Sequence, residues 1–287
     1  MTANYDPNAN YEIKIWEEDF RQAPTRMLLA RICQPVGDGP FPVLLDLHGG
    51  AWAFKDRMAN VAMAEAIARS GILTVSVDMR MSGETPYPAS VQDANYGIRW
   101  LKMKAPEWKG DPSTLGLLGS SSGGHIAMLL GMKPRDPRYN EIPLEGHPEI
   151  DSSIRYVATR SPISDPVARY NNAAAKGNQK MVDRHHVYFN PFGEIVMANP
   201  QMILDRKEPV ELPPLLVMQG GLDNNVLPAF QVKFGESYRA AGGECEVSVF
   251  EGCHHLWVLE PGPETDRAHE MVKAFIARQL QALQQAA

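Results

Sequence analysis

Thr114-Leu115-Gly116-Leu117-Leu118-Gly119-Ser120-Ser121-Ser122-Gly123 is the stretch on which the fold of this chain turns. Its first five residues read as a short buried strand, and its last five fit G-x-S-x-G. From Ser122 to about Met132 the chain is rich in Ala, Met and Leu and reads as a helix. A strand that turns directly into a helix pushes the central hydroxyl into the open, and flanking glycines leave room for so sharp a bend. Ser121 is therefore the candidate nucleophile, and the backbone N–H of Ser122 would point at the group it attacks. The plainer reading of the same five residues is a Ser/Gly-rich turn with an N-capping serine. The motif needs company to carry weight.

Outward from that turn, Pro42-Val43-Leu44-Leu45-Asp46-Leu47 is a buried strand that stops at His48-Gly49-Gly50, and residues 72–77 form another. Residues 11–20 and 25–33 read as an edge hairpin, with Gln22-Ala23-Pro24 near its turn. Further strands are expected over 154–159, 214–219 and 245–250, and helices over about 58–70, 90–104, 227–241 and 265–284. Apolar strands alternating with helices imply an α/β domain, its sheet mostly parallel and covered on both faces. In such sheets the reactive groups lie where strands end at their carboxyl edge. Residues 161–212 break the rhythm with Pro162, Pro166, Pro191, Pro200 and Pro209, a polar middle and weak periodicity. They read as a partly helical cap inserted over the sheet edge of one domain spanning residues 1–287.

A serine at neutral pH needs a base, and the base needs an orienting carboxylate. On a strand–turn–helix scaffold of this kind the acid and then the histidine follow the serine in chain order. Asp223 stands just past the strand 214–219, in Gly220-Gly221-Leu222-Asp223. His254 and His255 stand just past the strand 245–250, in Glu251-Gly252-Cys253-His254-His255-Leu256-Trp257. His255, with Gly252 three residues before it and Trp257 two after, is favoured as the base; His254 is the alternative. Glu251 lies too near the histidines in sequence to be preferred as the acid. Taken singly, Asp223 also suits a helix cap, and the histidines a polar loop.

The strand 42–47 supplies the remaining part. It leads into His48-Gly49-Gly50-Ala51-Trp52, where small residues after a strand expose backbone N–H groups able to hold an oxyanion. Gly50, Ala51 and Ser122 are the candidate donors; Gly49 shapes the loop, and His48 holds it by hydrogen bonds. Trp52, Phe54, Tyr188, Phe192 and Trp257 are the candidate pocket walls. Arg160, at the end of a strand, is a candidate for binding an anionic group on the substrate, the commoner fate of such an arginine being a surface or cap salt bridge.

Composition narrows the classes. A net charge of −6, without a basic run, leaves no electrostatic footprint for nucleic acid. The 3 cysteines do not form a disulfide framework, and no histidine or cysteine spacing suits zinc, so no metal is expected. The opening MTANYDPNANYEIKIWEEDF lacks a basic head and an apolar run, and the apolar stretches are shorter than a membrane span. A cytoplasmic location without membrane association is the expectation, with a homodimer through the sheet edge or cap as a reasonable assembly.

The residues named so far resemble the hormone-sensitive-lipase-like and acetyl-esterase branch of the α/β-hydrolases. The resemblance rests on His48 to Trp52, Gly119 to Gly124, Gly220 to Asp223 and Gly252 to His255. Val77-Asp78-Met79-Arg80, Pro86-Tyr87-Pro88-Ala89, Asp93 and Arg99-Trp100-Leu101 are similar to further segments of that branch. It implies the α/β-hydrolase fold, an eight-stranded, mostly parallel sheet, and hydrolysis of small carboxylic esters without a cofactor. It also implies Ser121, Asp223 and His255 as a catalytic triad. Ala51 stands where the branch has a third glycine, Met79 where it has tyrosine, and Met81-Ser82-Gly83-Glu84 where it has L-A-P-E. His48-Gly49-Gly50-Ala51-Trp52 is also similar to kynurenine formamidases, which keeps an amide, formamide or carbamate substrate as the alternative. A non-catalytic small-molecule receptor on the same fold is the third reading, although such receptors typically lose a triad member.

Overall fold

The computed structural model describes residues 5–286. Eight strands form a single sheet: β1 (Ile13–Gln22), β2 (Met27–Pro35), β3 (Phe41–Leu47), β4 (Leu73–Val77), β5 (Gly110–Ser120), β6 (Val157–Arg160), β7 (Leu215–Gly220) and β8 (Cys245–Phe250). Their spatial order is β1-β2-β4-β3-β5-β6-β7-β8. The β1–β2 and β2–β4 pairs are antiparallel and every later pair is parallel. This is the α/β-hydrolase fold. Several strand limits differ from expectation; β1 and β2 each lie two residues later in the chain than 11–20 and 25–33. β5 begins at Gly110, because Phe41 at the start of β3 pairs with it. β6 is confined to Val157–Arg160, the residues that pair with β7 as well as β5.

The helices follow from the apolar spacing. They are α1 (Val61–Arg69), α2 (Ala89–Lys104), α3 (Ser122–Met132), α4 (Pro166–Ala175), α5 (Gln179–Tyr188), α6 (Glu194–Met197), α7 (Pro200–Asp205), α8 (Pro228–Ala240) and α9 (Pro263–Ala286). Successive strand residues face opposite sides of a sheet, and β3 divides its side chains accordingly. Val43, Leu45 and Leu47 join Ile98 of α2, Ile126 of α3 and Phe234 of α8 in one core. Leu44 joins Ile67 of α1 and Phe275 and Ile276 of α9 in the other. α3 is apolar on every side and all its residues are buried, as a helix must be when it runs beneath a site rather than along the surface.

Four helices, α4 to α7, lie between β6 and β7. The prolines that break the sequence rhythm include helix starters. Pro166 and Pro200 occupy the first turns of α4 and α7, where a missing N–H costs nothing. Asp165, Asn178 and Asn199 cap α4, α5 and α7 by accepting from Ala168, Met181 and Met202 N–H. Among the described residues, no helix is long and apolar enough to cross a membrane.

Candidate active site

The carboxyl ends of β3, β5, β6, β7 and β8 converge on one edge of the sheet. At the end of β5, Ser121 has φ 52° and ψ −113°, a conformation that costs a non-glycine residue about 1–3 kcal/mol. Hydrogen bonds on both sides hold it there. Ser121 N–H donates to Arg160 O at 2.9 Å, and Ser121 O accepts from His125 N–H at 3.1 Å and Ile163 N–H at 3.2 Å. The flanking glycines serve close approach. A Cβ on Gly123 would lie 2.1 Å from Leu47 O, and one on Gly119 would lie 2.6 Å from Gly123 O. The first turn of α3 therefore rests directly on the end of β3.

Ser121 Oγ lies 3.0 Å from His255 Nε2, and His255 Nδ1 lies 2.6 Å from Asp223 Oδ2. These three residues, distant in sequence, form one hydrogen-bonded chain. His254 is exposed and outside it. Asp223 is buried, with its lone pairs occupied. Oδ1 accepts from Asn225 and Val226 N–H, both at 2.9 Å, and Oδ2 accepts from Gln219 Nε2 at 3.0 Å as well as from His255. Burial pushes the Asp223 carboxyl up, but the bonds and charge of His255, with the bonds from Val226 and Gln219, bring it below its ordinary value. Gln219, the penultimate residue of β7, was not singled out from the sequence; polar side chains within apolar strands are the signal that marks it.

The loop after β3 faces this chain. Gly50 has φ 119°, and a Cβ there would meet Phe54 O at 1.8 Å. Ala51 and Trp52 follow with φ of 51° and 58°, so the alanine that replaces the expected glycine adopts the left-handed conformation glycine would take. Among the described residues, the N–H groups of Gly50, Ala51 and Ser122 have no hydrogen-bond acceptor. His48 is buried, with Nδ1 2.7 Å from Gly49 O, a contact within the loop.

Ser121 and His255 line a cavity of about 260 Å3 together with Gly49, Gly50 and Ala51. Of the expected walls, Phe54 and Arg160 line it; Trp52, Tyr188, Phe192 and Trp257 do not. Trp52 is buried because its indole N–H finds an acceptor below the loop, His125 Nδ1 at 3.2 Å, while its ring stacks on Tyr188 at 4.6 Å. Tyr188 is also buried, its hydroxyl 2.8 Å from Ser90 Oγ. Phe192 packs on His186 at 4.2 Å, and Trp257 stacks on Phe250 at 4.2 Å in the core beside α9. The walls come instead from Met181 and Arg184 of α5, Arg169 of α4, and Leu256, Val258 and Leu259 directly after the histidine.

His125 binds the region from below. Its Nε2 donates to Ala198 O at 2.7 Å while Nδ1 accepts from Trp52, which fixes it as the neutral Nε2–H tautomer. Burial, with the charge of Arg169 adding and the bond to Ala198 opposing, lowers its pKa to about 4. Arg169 is fully buried; its Nε donates to Asn225 Oδ1 at 3.0 Å, and its guanidinium lies over Trp52. Of the further segments in the resemblance, Asp78 accepts from Leu29 and Arg57 N–H, and Arg80 pairs with Asp93. These bonds pin the loop after β4 and take no part in the cavity. No group of three or more His, Cys, Asp or Glu side chains is arranged to hold a metal among the described residues.

The comparisons agree with this architecture. Carboxylesterase NlhH of Mycobacterium tuberculosis is 29% identical over 219 residues, covering 75% of this chain and 66% of that protein. Esterase LipC of the same species is 26% identical over 246 residues, covering 83% of this chain and 58% of that protein. The chain thus spans just under two thirds, or less, of the length of these curated relatives. Among solved structures, the thermophilic esterase Est2 of Thermogutta terrifontis superposes with a TM-score of 0.74 at 22% identity, covering 94% of this chain and 92% of that one. Esterase B of Lactobacillus rhamnosis superposes with a TM-score of 0.78 at 18% identity, covering 97% and 92%. A family model, BD-FAE, matches residues 32–237, from β2 through most of α8. This match, over more than half of the chain, places it in the BD-FAE family.

Proposed function

We propose that this protein is a carboxylesterase-type serine hydrolase that cleaves a small carboxylic ester through an acyl-enzyme. The observation that carries the reading is the hydrogen-bonded chain Ser121–His255–Asp223, with distances of 3.0 and 2.6 Å. Ser121 Oγ attacks the ester carbonyl carbon while His255 Nε2 takes its proton. Asp223 fixes the imidazole with Nδ1–H toward itself and stabilises the imidazolium that forms. The free N–H groups of Gly50, Ala51 and Ser122 receive the oxyanion, each worth about 2.7–4 kcal/mol in such sites. His255 then returns the proton to the leaving alcohol oxygen, the C–O bond breaks, and water, deprotonated by His255, releases the acid. The ester relatives support the same substrate class. The segment from β6 to β7 acts as a cap, since α4 and α5 contribute Arg169, Met181 and Arg184 to the cavity walls.

The test is a panel of p-nitrophenyl esters and matched anilides with the Ser121→Ala protein as control. Turnover of esters by the native protein alone, with labelling of Ser121 by a fluorophosphonate, is the expected result. Equal turnover in the Ser121→Ala protein would remove the nucleophile from the proposal, and preferential cleavage of the anilides would move the reaction to amides.

A further inference from the structure

Four cationic side chains, Lys55, Arg160, Arg169 and Arg184, line the cavity, none with an acidic partner among the described residues. Among the described residues, the side chains of Lys55, Arg160 and Arg184 make no hydrogen bond or ion pair, and no Asp or Glu lines the cavity. This concentration of positive charge occurs in a chain whose net charge is −6. Arg160 is the sharpest case. It is 1% exposed, and Nε, Nη1 and Nη2 are all buried without a hydrogen-bond partner. A buried guanidinium left with five idle N–H donors is rare, because the charge has been taken from water without compensation. The carboxylate nearest to it electrostatically, Asp46, is committed elsewhere. It accepts from Asn60 Nδ2 and Ser76 Oγ, both at 2.9 Å.

The position of Arg160 ties it to the reaction centre. It pairs with Ser120 in the β5–β6 register, and its carbonyl accepts from Ser121 N–H. Its backbone is thus one hydrogen bond from the nucleophile, and its side chain lines the same cavity.

We propose that the substrate is an ester that also carries a carboxylate, and that Arg160 receives that carboxylate in a forked pair. The planar guanidinium matches a carboxylate bidentately, whereas a neutral ester would leave its donors idle. Arg184, held over the Phe54 ring at 4.8 Å, and Lys55 supply further positive charge at the cavity and raise the local concentration of the anion. The inference deepens the esterase reading and rests on it for the reaction, but not for the binding. Half-esters of short dicarboxylic acids are the simplest molecules with both groups within so small a cavity.

The test separates binding from turnover. Calorimetric titration of the Ser121→Ala protein with monomethyl glutarate and with dimethyl glutarate measures the value of the free carboxylate. The half-ester should bind about a hundredfold more tightly. Adding Arg160→Met should abolish that preference, and Arg160→Lys should restore part of it. Equal affinity for the two esters overturns the proposal, even if Arg160→Met fails to fold. So does a preference that persists in a folded Arg160→Met protein, which would assign Arg160 to holding the sheet edge. Turnover is then measured with the native protein. Preferential binding without hydrolysis of either ester keeps the carboxylate site and sinks the esterase reading. Hydrolysis of both at equal kcat/KM, with equal binding, does the reverse.

Discussion

Asp223 and Arg160 are two buried charges at the ends of neighbouring strands, and they are treated oppositely. Asp223 is surrounded by four donors, Asn225 and Val226 from the turn after β7, Gln219 from β7 itself and His255 from beyond β8. Among the described residues, the Arg160 side chain at the end of β6 has no acceptor. Both are at most 2% exposed, so exposure to water does not explain the difference. A charge saturated by its own chain is held in one place whether or not a ligand is present. A charge left open keeps its interaction energy in reserve for whatever enters. The first arrangement suits a group that must orient a base on every turnover, the second a group that must tell one substrate from another.

The contrast makes ordered predictions. Asp223→Asn should keep the fold but invert the hydrogen bond to His255, lowering kcat on a neutral ester by about 10,000-fold. Steady-state kinetics beside an unchanged circular dichroism spectrum check this, and a loss below tenfold would erase the distinction between the two charges. The buried neutral His125 comes next. An unfolded chain takes up its proton below the ordinary pH of 6.5, whereas the folded protein does so only near 4. The stability that neutral His125 contributes is therefore complete above pH 6.5 and lost as the pH falls to about 4, a loss of about 3 kcal/mol. Urea unfolding between pH 7 and 4.5 should show the decline, with His125→Gln flattening it; an unchanged slope in that variant would place the sensitivity elsewhere. His185, lowered to about 3, adds a slope of the same sign.

A smaller effect is expected at Gln219. Replacing it with Leu removes one donor from Asp223, and kcat/KM should fall about tenfold with little change in KM, since substrate contacts are intact. If KM carried the whole change, Gln219 would belong to binding rather than to positioning. The smallest is Trp52→Phe, which deletes the hydrogen bond to His125 but keeps the stack on Tyr188. It should cost about 1 kcal/mol, or about 2–4 °C in Tm, measured by calorimetry.

What the sequence made legible was the part of the molecule governed by backbone geometry. Apolar runs mark β3, β5 and β7, glycines mark the sharp turns at their ends, and Ser121, Asp223 and His255 are found there because those ends meet. The cavity walls obey a different rule. Trp52, next to the loop glycines, resembles a wall from its position alone, but its indole N–H required an acceptor, and that acceptor lies 73 residues away at His125. Arg169 and Arg184 sit in a polar, proline-interrupted segment whose composition matches a solvated surface. Only tertiary placement separates a cation facing a cavity from one facing water. Arg160 was visible as a residue at a strand end, yet the absence of any partner is a property of everything around it and has no sequence signature.

The bare α-carbon of Gly123, seated on the carbonyls of Leu47 and His48, has a mechanical consequence. The hydroxyl of Ser121 and the peptide donors beyond β3 belong to different segments, and the distance between them could have been left to pliable side chains. Here it is gauged by atoms in direct touch, backbone against backbone. Such a gauge has no rotamers to sample, so the gap is set by the backbone alone. A single methyl at position 123 would act as a shim, prising the two jaws apart while leaving every reactive group intact.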